Sequence, residues 1–204
     1  FLIEAACRHI GQRGIESLSL RALAREAGVS QTAPYRHFKT KNSLIAAIAM
    51  ECFSQLHACL VQATEKAGDD TLQAILACGP AYMSYALANP ERYKLTFDSA
   101  QLDFQQYPEL KKGGDACFSV LIDLINRGLK EDLLIDKPAH KMAGLLWATL
   151  HGVTSLVISQ SGVSQAEMAE DRPVVHALRG LVKKPGDSIA LVVRSLLRDP
   201  SLIQ

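Results

Sequence analysis

A short polar stretch near the start of the chain carries the side chains best suited to molecular recognition. Residues 29–44 read VSQTAPYRHFKTKNSL and hold Arg36 together with two lysines, a glutamine, a tyrosine and a histidine. Gln31 has the donor and acceptor that match adenine, and the methyl groups of Thr32 and Ala33 fit a thymine methyl in the major groove of DNA. Donors that reach phosphate oxygens are carried by Tyr35, His37, Lys39 and Lys41. Arg36 belongs to the same predicted DNA-binding surface.

Two short helices joined by a tight turn are the elements that must present this stretch. Apolar residues within 20–27 recur at i, i+3, i+4 and i+7, which predicts a helix. Ser19 is its predicted N-cap, and Gly28 is its predicted stop. A further, very short helix is predicted to begin after Ser30 and to end near His37. Such a pair of helices, the second polar and basic, is typical of a helix-turn-helix.

The predicted short helix contains one residue that restricts it. Pro34 is tolerated only in a first turn, where a missing backbone N–H costs little. Phe38 is predicted to anchor the end of this helix as an apolar plug. Thr40 is the predicted N-cap of the next, long helix, whose N-terminal dipole adds positive potential at Lys41.

The rest of the chain also follows helical periodicity, and strand signals are nearly absent. The sequence therefore predicts an all-α fold of about nine helices. Residues 1–47 form a three-helix helix-turn-helix domain in this prediction, and residues 48–204 form a larger helical domain.

Charge and cysteine usage narrow the function classes. Residues 1–50 contain seven Lys or Arg and three Glu, a net charge of +4, whereas the remainder sums to −3. This asymmetry indicates a polyanionic partner for the N-terminal end, but it is too small for a DNA-packaging protein that binds without sequence preference.

The five cysteines are scattered without a CxxC pair, which is typical of reduced intracellular thiols in a core. We expect a cytoplasmic protein with no membrane partner, no cofactor and no metal site.

The stretch LSLRALAREAGVSQTAPYRHFKTKNSLIAAI resembles the N-terminal DNA-binding domain of TetR-family transcriptional regulators over roughly residues 1–50. The GVS turn, the Y-x-H-F segment and the following K-x-K carry the resemblance. Pro34 stands where the family more often has Leu or Phe. The resemblance implies that Arg21, Gln31, Thr32 and Ala33 approach bases, and that Ser19, Tyr35, His37, Lys39 and Lys41 lie at phosphates.

The second half resembles the TetR C-terminal domain type named for its W-x-x-x-H-G segment, here WATLHG at 147–152 after NPERYKLTFD at 89–98. Trp147 and His151 share one helix face, and Gly152 is expected to let another helix approach closely. Both side chains also fit an ordinary core, an alternative that stays open. The predicted cavity for a moderately apolar ligand is lined by Tyr82, Met83, Tyr93, Phe97, Phe104, Tyr107, Phe118, Trp147 and His151.

Two apolar helices are the candidates for a dimer contact. The helix at 138–160 is apolar around much of its circumference, and the helix at 187–198 carries a clear apolar stripe. By resemblance such helices pair with those of a second copy as a four-helix bundle. The predicted interface residues are Leu145, Thr149, Val153, Leu156, Ile189, Val192, Val193 and Leu196.

These features predict a homodimeric repressor that a small molecule releases from a pseudo-palindromic operator in double-stranded DNA. In one alternative the larger domain serves only dimerisation or a protein partner, without an inducer. An enzyme using His140, His151 or His176 with Asp136 or Asp171 is the other rival. We predict no catalytic residues, because the sequence has no nucleophile elbow, phosphate loop or metal-binding spacing.

Overall fold

The computed structural model describes residues 1–98, 102–160 and 172–203. Within these ranges the chain forms nine α-helices, three 3₁₀ turns and no strand beyond an isolated antiparallel bridge between Leu134 and Leu197, which confirms the all-α prediction. The helices are α1 (Leu2–Arg13), α2 (Leu20–Glu26), α3 (Lys41–Ala67), α4 (Thr71–Ala88), α5 (Pro90–Asp98), α6 (Pro108–Lys130), α7 (Ala139–Gln160), α8 (Pro173–Lys183) and α9 (Pro185–Leu196); the 3₁₀ turns are Ile15–Ser17, Pro34–Arg36 and Pro200–Leu202.

The chain divides into two compact units. The first combines Phe1–Gln55 with Asn89–Gly114, and the second combines Leu56–Ala88 with Asp115–Gln204. The helices α3 and α6 each contribute to both units. The predicted domain boundary between residues 47 and 48 falls inside α3. The division into a DNA-binding domain before it and a larger domain after it stays a prediction.

The first unit is organised around α1, α2 and the N-terminal half of α3. The predicted caps are confirmed: the backbone N–H of Ala22 donates to Ser19 Oγ at 3.1 Å, and Thr40 and Ser43 donate to each other's side-chain oxygens at 3.1 Å. Gly28 follows the end of α2 with φ 65°, the left-handed conformation that favours glycine. Apolar residues of the three helices fill this core, among them Ala5, Ala6, Leu20, Leu23, Leu44, Ile45 and Ile48.

The short helix predicted between Ser30 and His37 is wrong in type. The structure has a turn followed by the 3₁₀ turn Pro34–Arg36, in which Ala33 N donates to Ser30 O at 3.0 Å and Arg36 N donates to Ala33 O at 3.2 Å. Pro34 has no N–H to donate to Ser30, so one α-helical bond cannot form. Pro34 itself is buried whereas Phe38 is only half-buried, so the proline is the better anchor.

The second unit is a helical assembly in which α4, α7 and α9 pack on one another, and α8 packs on α7 and α9. Gly79 of α4 allows one close approach, because a Cβ there would lie 3.2 Å from Ile189 Cγ2. Backbone bonds from Ile135 N to Leu196 O and from Arg198 N to Leu133 O join the segment after α9 to the loop after α6. The core includes Ile75, Tyr82, Leu124, Ile125, Met142, Leu146, Ile189 and Val193.

The structure corrects half of the predicted dimer residues. The side chains of Val153, Ile189, Val193 and Leu196 are buried within the second unit, since the apolar stripe of an amphipathic helix first covers its own core. Thr149 and Val192 are half-buried, whereas Leu145 and Leu156 are 50% and 43% exposed. Leu191 on α9 was not predicted, and it is 67% exposed.

The cysteines behave as core residues. All five are free thiols; Cys52, Cys78 and Cys117 are buried, and Cys7 and Cys59 are half-buried. Burial raises the pKa of the Cys78 thiol to about 12, so it stays protonated at neutral pH. Two helices, α3 and α7, are long and apolar enough to cross a membrane, a test that core helices of soluble proteins also pass.

Candidate nucleic-acid interface

The segment from Gln31 to Lys39 presents a polar surface. The side chains of Gln31, Thr32, Tyr35, Arg36, His37 and Lys39 are exposed, and Ala33 is half-buried. The capped start of α2 adds Ser19 and Arg21, both also exposed. These residues lie on or directly beside α2 and the 3₁₀ turn Pro34–Arg36, and the two elements pack against each other in the first unit.

Three cations of this surface have no partner among the described residues. The side chains of Arg21, Arg36 and Lys39 form no hydrogen bond or ion pair with residues 1–98, 102–160 or 172–203, so their charged groups face solvent. Exposed and unpaired cations suit an anionic partner, because no internal contact has to be broken when they bind.

Lys41 differs from the rest of the predicted set. Its side chain is half-buried, and its Nζ donates to the backbone carbonyl of Ile15 at 2.6 Å, which ties the start of α3 to the turn after α1. An ammonium group has three donors, so a phosphate contact by the other two stays a prediction. The sequence did not indicate this contact, because its partner lies 26 residues away.

A buried histidine network holds α1 against α2, and sequence reasoning missed it. His9 is 2% exposed; its Nδ1 lies 2.6 Å from Glu26 Oε2, and its Nε2 lies 3.0 Å from Ser17 Oγ. Ser17 donates its own hydroxyl hydrogen to Gly14 O at 2.8 Å, which extends the network to the turn after α1. The only signal in the sequence was a histidine placed directly before Ile10 of the apolar face.

Arg92 forms a second network, which joins α5 to α1 and α3. The guanidinium is 5% exposed, pairs with Glu4, and donates from Nη1 to Glu51 Oε1 at 3.0 Å and to Gln55 Oε1 at 3.1 Å. Burial lowers the pKa of Arg92, but the hydrogen bond to Glu4 and the charge of Glu51 outweigh it and raise the pKa overall. Arg92 is therefore a permanently charged link between three helices of the first unit.

Four of the predicted ligand residues meet in the second unit. The rings of Trp147 and His151 stack with centroids 5.5 Å apart and planes 25° apart, and Phe118 meets Trp147 edge-on at 6.4 Å. The hydroxyl of Tyr82 lies 3.3 Å from His151 Nδ1. Tyr82 is buried, His151 is half-buried and Trp147 is 39% exposed, so this aromatic cluster has one accessible end.

Among the remaining predicted ligand residues, two form an aromatic contact of their own. Tyr93 and Phe97 lie in the first unit, where their rings are 4.8 Å apart and Phe97 meets Phe53 edge-on at 5.8 Å. Met83 is buried, Tyr107 is half-buried and Phe104 is 45% exposed.

A groove within the second unit lies away from this cluster. It measures about 830 Å³ and lies along the C-terminal half of α3 and along α4, and none of the predicted ligand residues lines it. Its lining is Cys59, Gln62, Ala63, Lys66, Ala67, Asp70, Gln73, Ala77, Pro80, Ala81, Ser84 and Tyr85.

The residues considered for catalysis form no described site. Asp136, His140 and His176 are exposed, and Asp171 lies outside the described residues. Over the part of the chain that the structure describes, no group of three His, Cys, Asp or Glu side chains is placed to hold a metal ion.

Two family models match this chain. Residues 2–48 match the model described as "Bacterial regulatory proteins, tetR family", and residues 75–178 match the model described as "Tetracyclin repressor-like, C-terminal domain". The first match contains the helix-turn-helix, and the second contains the cluster around Trp147.

Individual relatives agree with these matches. The chain is 26% identical over 117 residues to an HTH-type transcriptional regulator of Mycobacterium tuberculosis, covering 55% of this chain and 48% of that protein. It is 27% identical over 127 residues to the HTH-type transcriptional activator FasR of Mycolicibacterium smegmatis, covering 62% and 58%. The chain thus spans about half the length of the curated relatives it matches. A solved protein of unknown function from Rhodococcus sp. RHA1 has a TM-score of 0.74 at 27% identity, covering 97% of this chain and 94% of that one.

Proposed function

The chain belongs to the TetR family of bacterial regulatory proteins, and we propose from this that it is a sequence-specific DNA-binding transcriptional regulator of the cytoplasm. It acts as a homodimeric repressor that a small, moderately apolar ligand releases from a pseudo-palindromic operator. The observation that carries the proposal is the exposed, unpaired set Arg21, Gln31, Arg36 and Lys39 on a capped helix-turn-helix.

The DNA contact divides into base-reading and phosphate-binding side chains. Arg21 presents parallel donors and Gln31 presents one donor and one acceptor, and both patterns match base edges. Lys39 is a point charge suited to phosphate. The His9 network and the Ser19 cap fix α2 in the first unit, so these side chains are presented on a rigid support.

Two copies are needed, because one reading surface with a net charge of +4 in its first 50 residues gives little affinity against competing genomic DNA. The outward face of α7 supports dimerisation: Leu145 and Leu156 flank Gly152, where an added Cβ would meet no described atom within 4 Å. A glycine inside a helix costs about 1 kcal/mol relative to alanine, and close approach of a second helix offsets that cost. The exposed Leu191 of α9 extends the same proposed interface.

The aromatic cluster of Tyr82, Phe118, Trp147 and His151 is the proposed ligand site. It combines aromatic surface with a polar imidazole, which suits a moderately apolar organic molecule. The ligand need only bind more tightly to the state that does not bind DNA. A difference of about 3 kcal/mol in its binding free energy between the two states weakens operator binding more than a hundredfold.

Selection of bound fragments from a random DNA pool tests the proposal. We expect an enriched pseudo-palindrome, and Arg21→Ala or Gln31→Ala should cost about 1–3 kcal/mol on that site while leaving binding to random DNA nearly unchanged. Lys39→Ala should weaken binding to all DNA and reduce the salt slope by about one unit. Equal losses for all three variants on random DNA would contradict the base-reading assignment.

The ligand and the sign of regulation need separate experiments. Screening metabolites for release of the selected DNA should yield a compound whose effect is lost in Trp147→Ala, with uninduced DNA affinity retained. An empty screen favours a domain that serves only dimerisation or a protein partner. A promoter-reporter assay separates repression from activation, since the similar FasR is described as an activator.

A further inference from the structure

Residues 30–37 of the proposed DNA-binding surface contain backbone hydrogen bonds between residues three apart. The bonds from Ala33 N to Ser30 O, from Arg36 N to Ala33 O and from His37 N to Pro34 O all join residues three apart, at 3.0, 3.2 and 3.1 Å. This is the 3₁₀ pattern, in which side chains three apart in sequence lie in line. Pro34 supports it by lacking the N–H that an α-helix needs, and it is held in place by burial.

The 3₁₀ pattern changes the direction of Arg36. Three α-helical steps turn a side chain through about 300°, whereas three 3₁₀ steps turn it through about 360°. Ala33 precedes the 3₁₀ turn and has α-helical angles of φ −59° and ψ −47°. The turn therefore rotates Arg36 towards the line of Ala33 by at most about 60° from the direction that an α-helix would give it. Ala33 is small and half-buried, so it leaves the space beside the arginine open.

Arg36 is also chemically available. Its side chain is exposed and forms no hydrogen bond or ion pair with the described part of the chain. Its guanidinium presents parallel donors that match the O6 and N7 atoms of guanine, a pairing that the lysine ammonium cannot reproduce.

We propose that Pro34 and Arg36 together determine part of the sequence specificity: Pro34 fixes the 3₁₀ turn, and the turn directs Arg36 to a guanine in each half-site. Pro34 is a positioning residue in this scheme, and Arg36 is the base-reading residue. The inference rests on the proposed DNA-binding function, and it adds a specific base to it.

Selection from a random DNA pool with the full chain and four variants tests this. The wild type should enrich a half-site with one invariant guanine. Arg36→Ala and Arg36→Lys should each lower the preference for that guanine about 10- to 100-fold, and Arg36→Lys should keep its affinity for random DNA because the charge remains. Pro34→Leu should still select a pseudo-palindrome but lose the same guanine. Lys39→Ala, the matched control, should lose affinity without changing the selected sequence.

Three results would overturn the inference. The first is an Arg36→Lys variant that retains the preference for the guanine. The second is an Arg36→Ala variant that loses affinity equally for specific and random DNA. The third is a folded Pro34→Leu variant that still enriches the wild-type half-site. If Pro34→Leu loses the circular dichroism signal of helices, the variant is unfolded. The selection with Arg36→Lys then tests the inference by itself. A wild type that enriches no DNA sequence at all would refute the proposed DNA-binding function itself. Failure of that function can therefore be told apart from failure of the inference about Pro34 and Arg36.

Discussion

At the scale of single residues, two lysines only two positions apart have different environments. Lys39 is exposed without a described partner, whereas Lys41 donates from Nζ to the carbonyl of Ile15 at 2.6 Å. The sequence motif predicts that both lysines bind phosphate. The structure adds that Lys41 also stabilises the first unit, because the carbonyl of Ile15 lies within hydrogen-bond distance of its ammonium group. A hydrogen bond from a charged donor contributes more than a neutral one.

We therefore expect Lys41→Met to reduce the free energy of unfolding by about 1–2 kcal/mol, since the Ile15 carbonyl loses its charged donor. Lys39→Met should change it by less than about 0.5 kcal/mol, as for other exposed sites. Urea unfolding followed by circular dichroism measures both. Equal stability of the two variants would mean that the contact of Lys41 contributes nothing.

At the scale of elements, the first unit depends on polar links between helices as well as on its apolar core. Arg92 connects α5 to α1 through Glu4 and to α3 through Glu51 and Gln55. Removing the buried cation leaves two carboxylates close together without compensation.

Arg92→Met should destabilise the protein by about 2–4 kcal/mol, less than a fully buried pair because both carboxylates are partly exposed. Lys94→Met is the control, since Lys94 is an exposed cation of the same helix. Thermal unfolding gives the comparison. Two variants of equal melting temperature would show that the network is not stabilising.

Helix contacts also determine the effect of a glycine. At Gly113 of α6 a Cβ would lie 3.0 Å from Phe53 Cβ, whereas at Gly180 of α8 it would meet no described atom within 4 Å. Gly113→Ala should lower the melting temperature, because overpacking of about 1–3 kcal/mol exceeds the helix-propensity gain of about 1 kcal/mol. Gly180→Ala should raise it. Shifts of the same sign would contradict the close contact at Phe53.

At the scale of the whole molecule, the proposed function requires two copies. The outward face of α7 and the exposed Leu191 of α9 are among the apolar surfaces that the core of the second unit leaves exposed. Exposed leucines at helix positions this regular favour a protein partner over solvent.

Leu145→Glu should convert a dimer to a monomer, because two carboxylates would be desolvated at the interface. Leu87→Glu, at an exposed leucine on α4, should leave the dimer intact. Sedimentation equilibrium measures the mass, and the monomer should also lose its preference for paired half-sites. A wild type that sediments as a monomer, or a dimeric Leu145→Glu, would rule out this interface.

The sequence by itself determined the features that depend on neighbouring residues. Apolar periodicity and caps such as Ser19 and Thr40 predicted the all-α fold, because helices form from contacts three and four residues apart. The same local logic explains the 3₁₀ turn: Pro34 was visible in the sequence, and its missing N–H acts within one turn.

Only the tertiary structure decided the features that depend on distant partners. The partner of His9 lies 17 residues away, and that of Arg92 in α1 lies 88 residues away, so no spacing rule connects them. Likewise, the α9 stripe showed that one face is apolar, but only packing against Gly79 showed that Ile189 faces inward while Leu191 stays exposed. A helical pattern fixes which residues share a face, and which face is covered depends on what the rest of the chain places beside it.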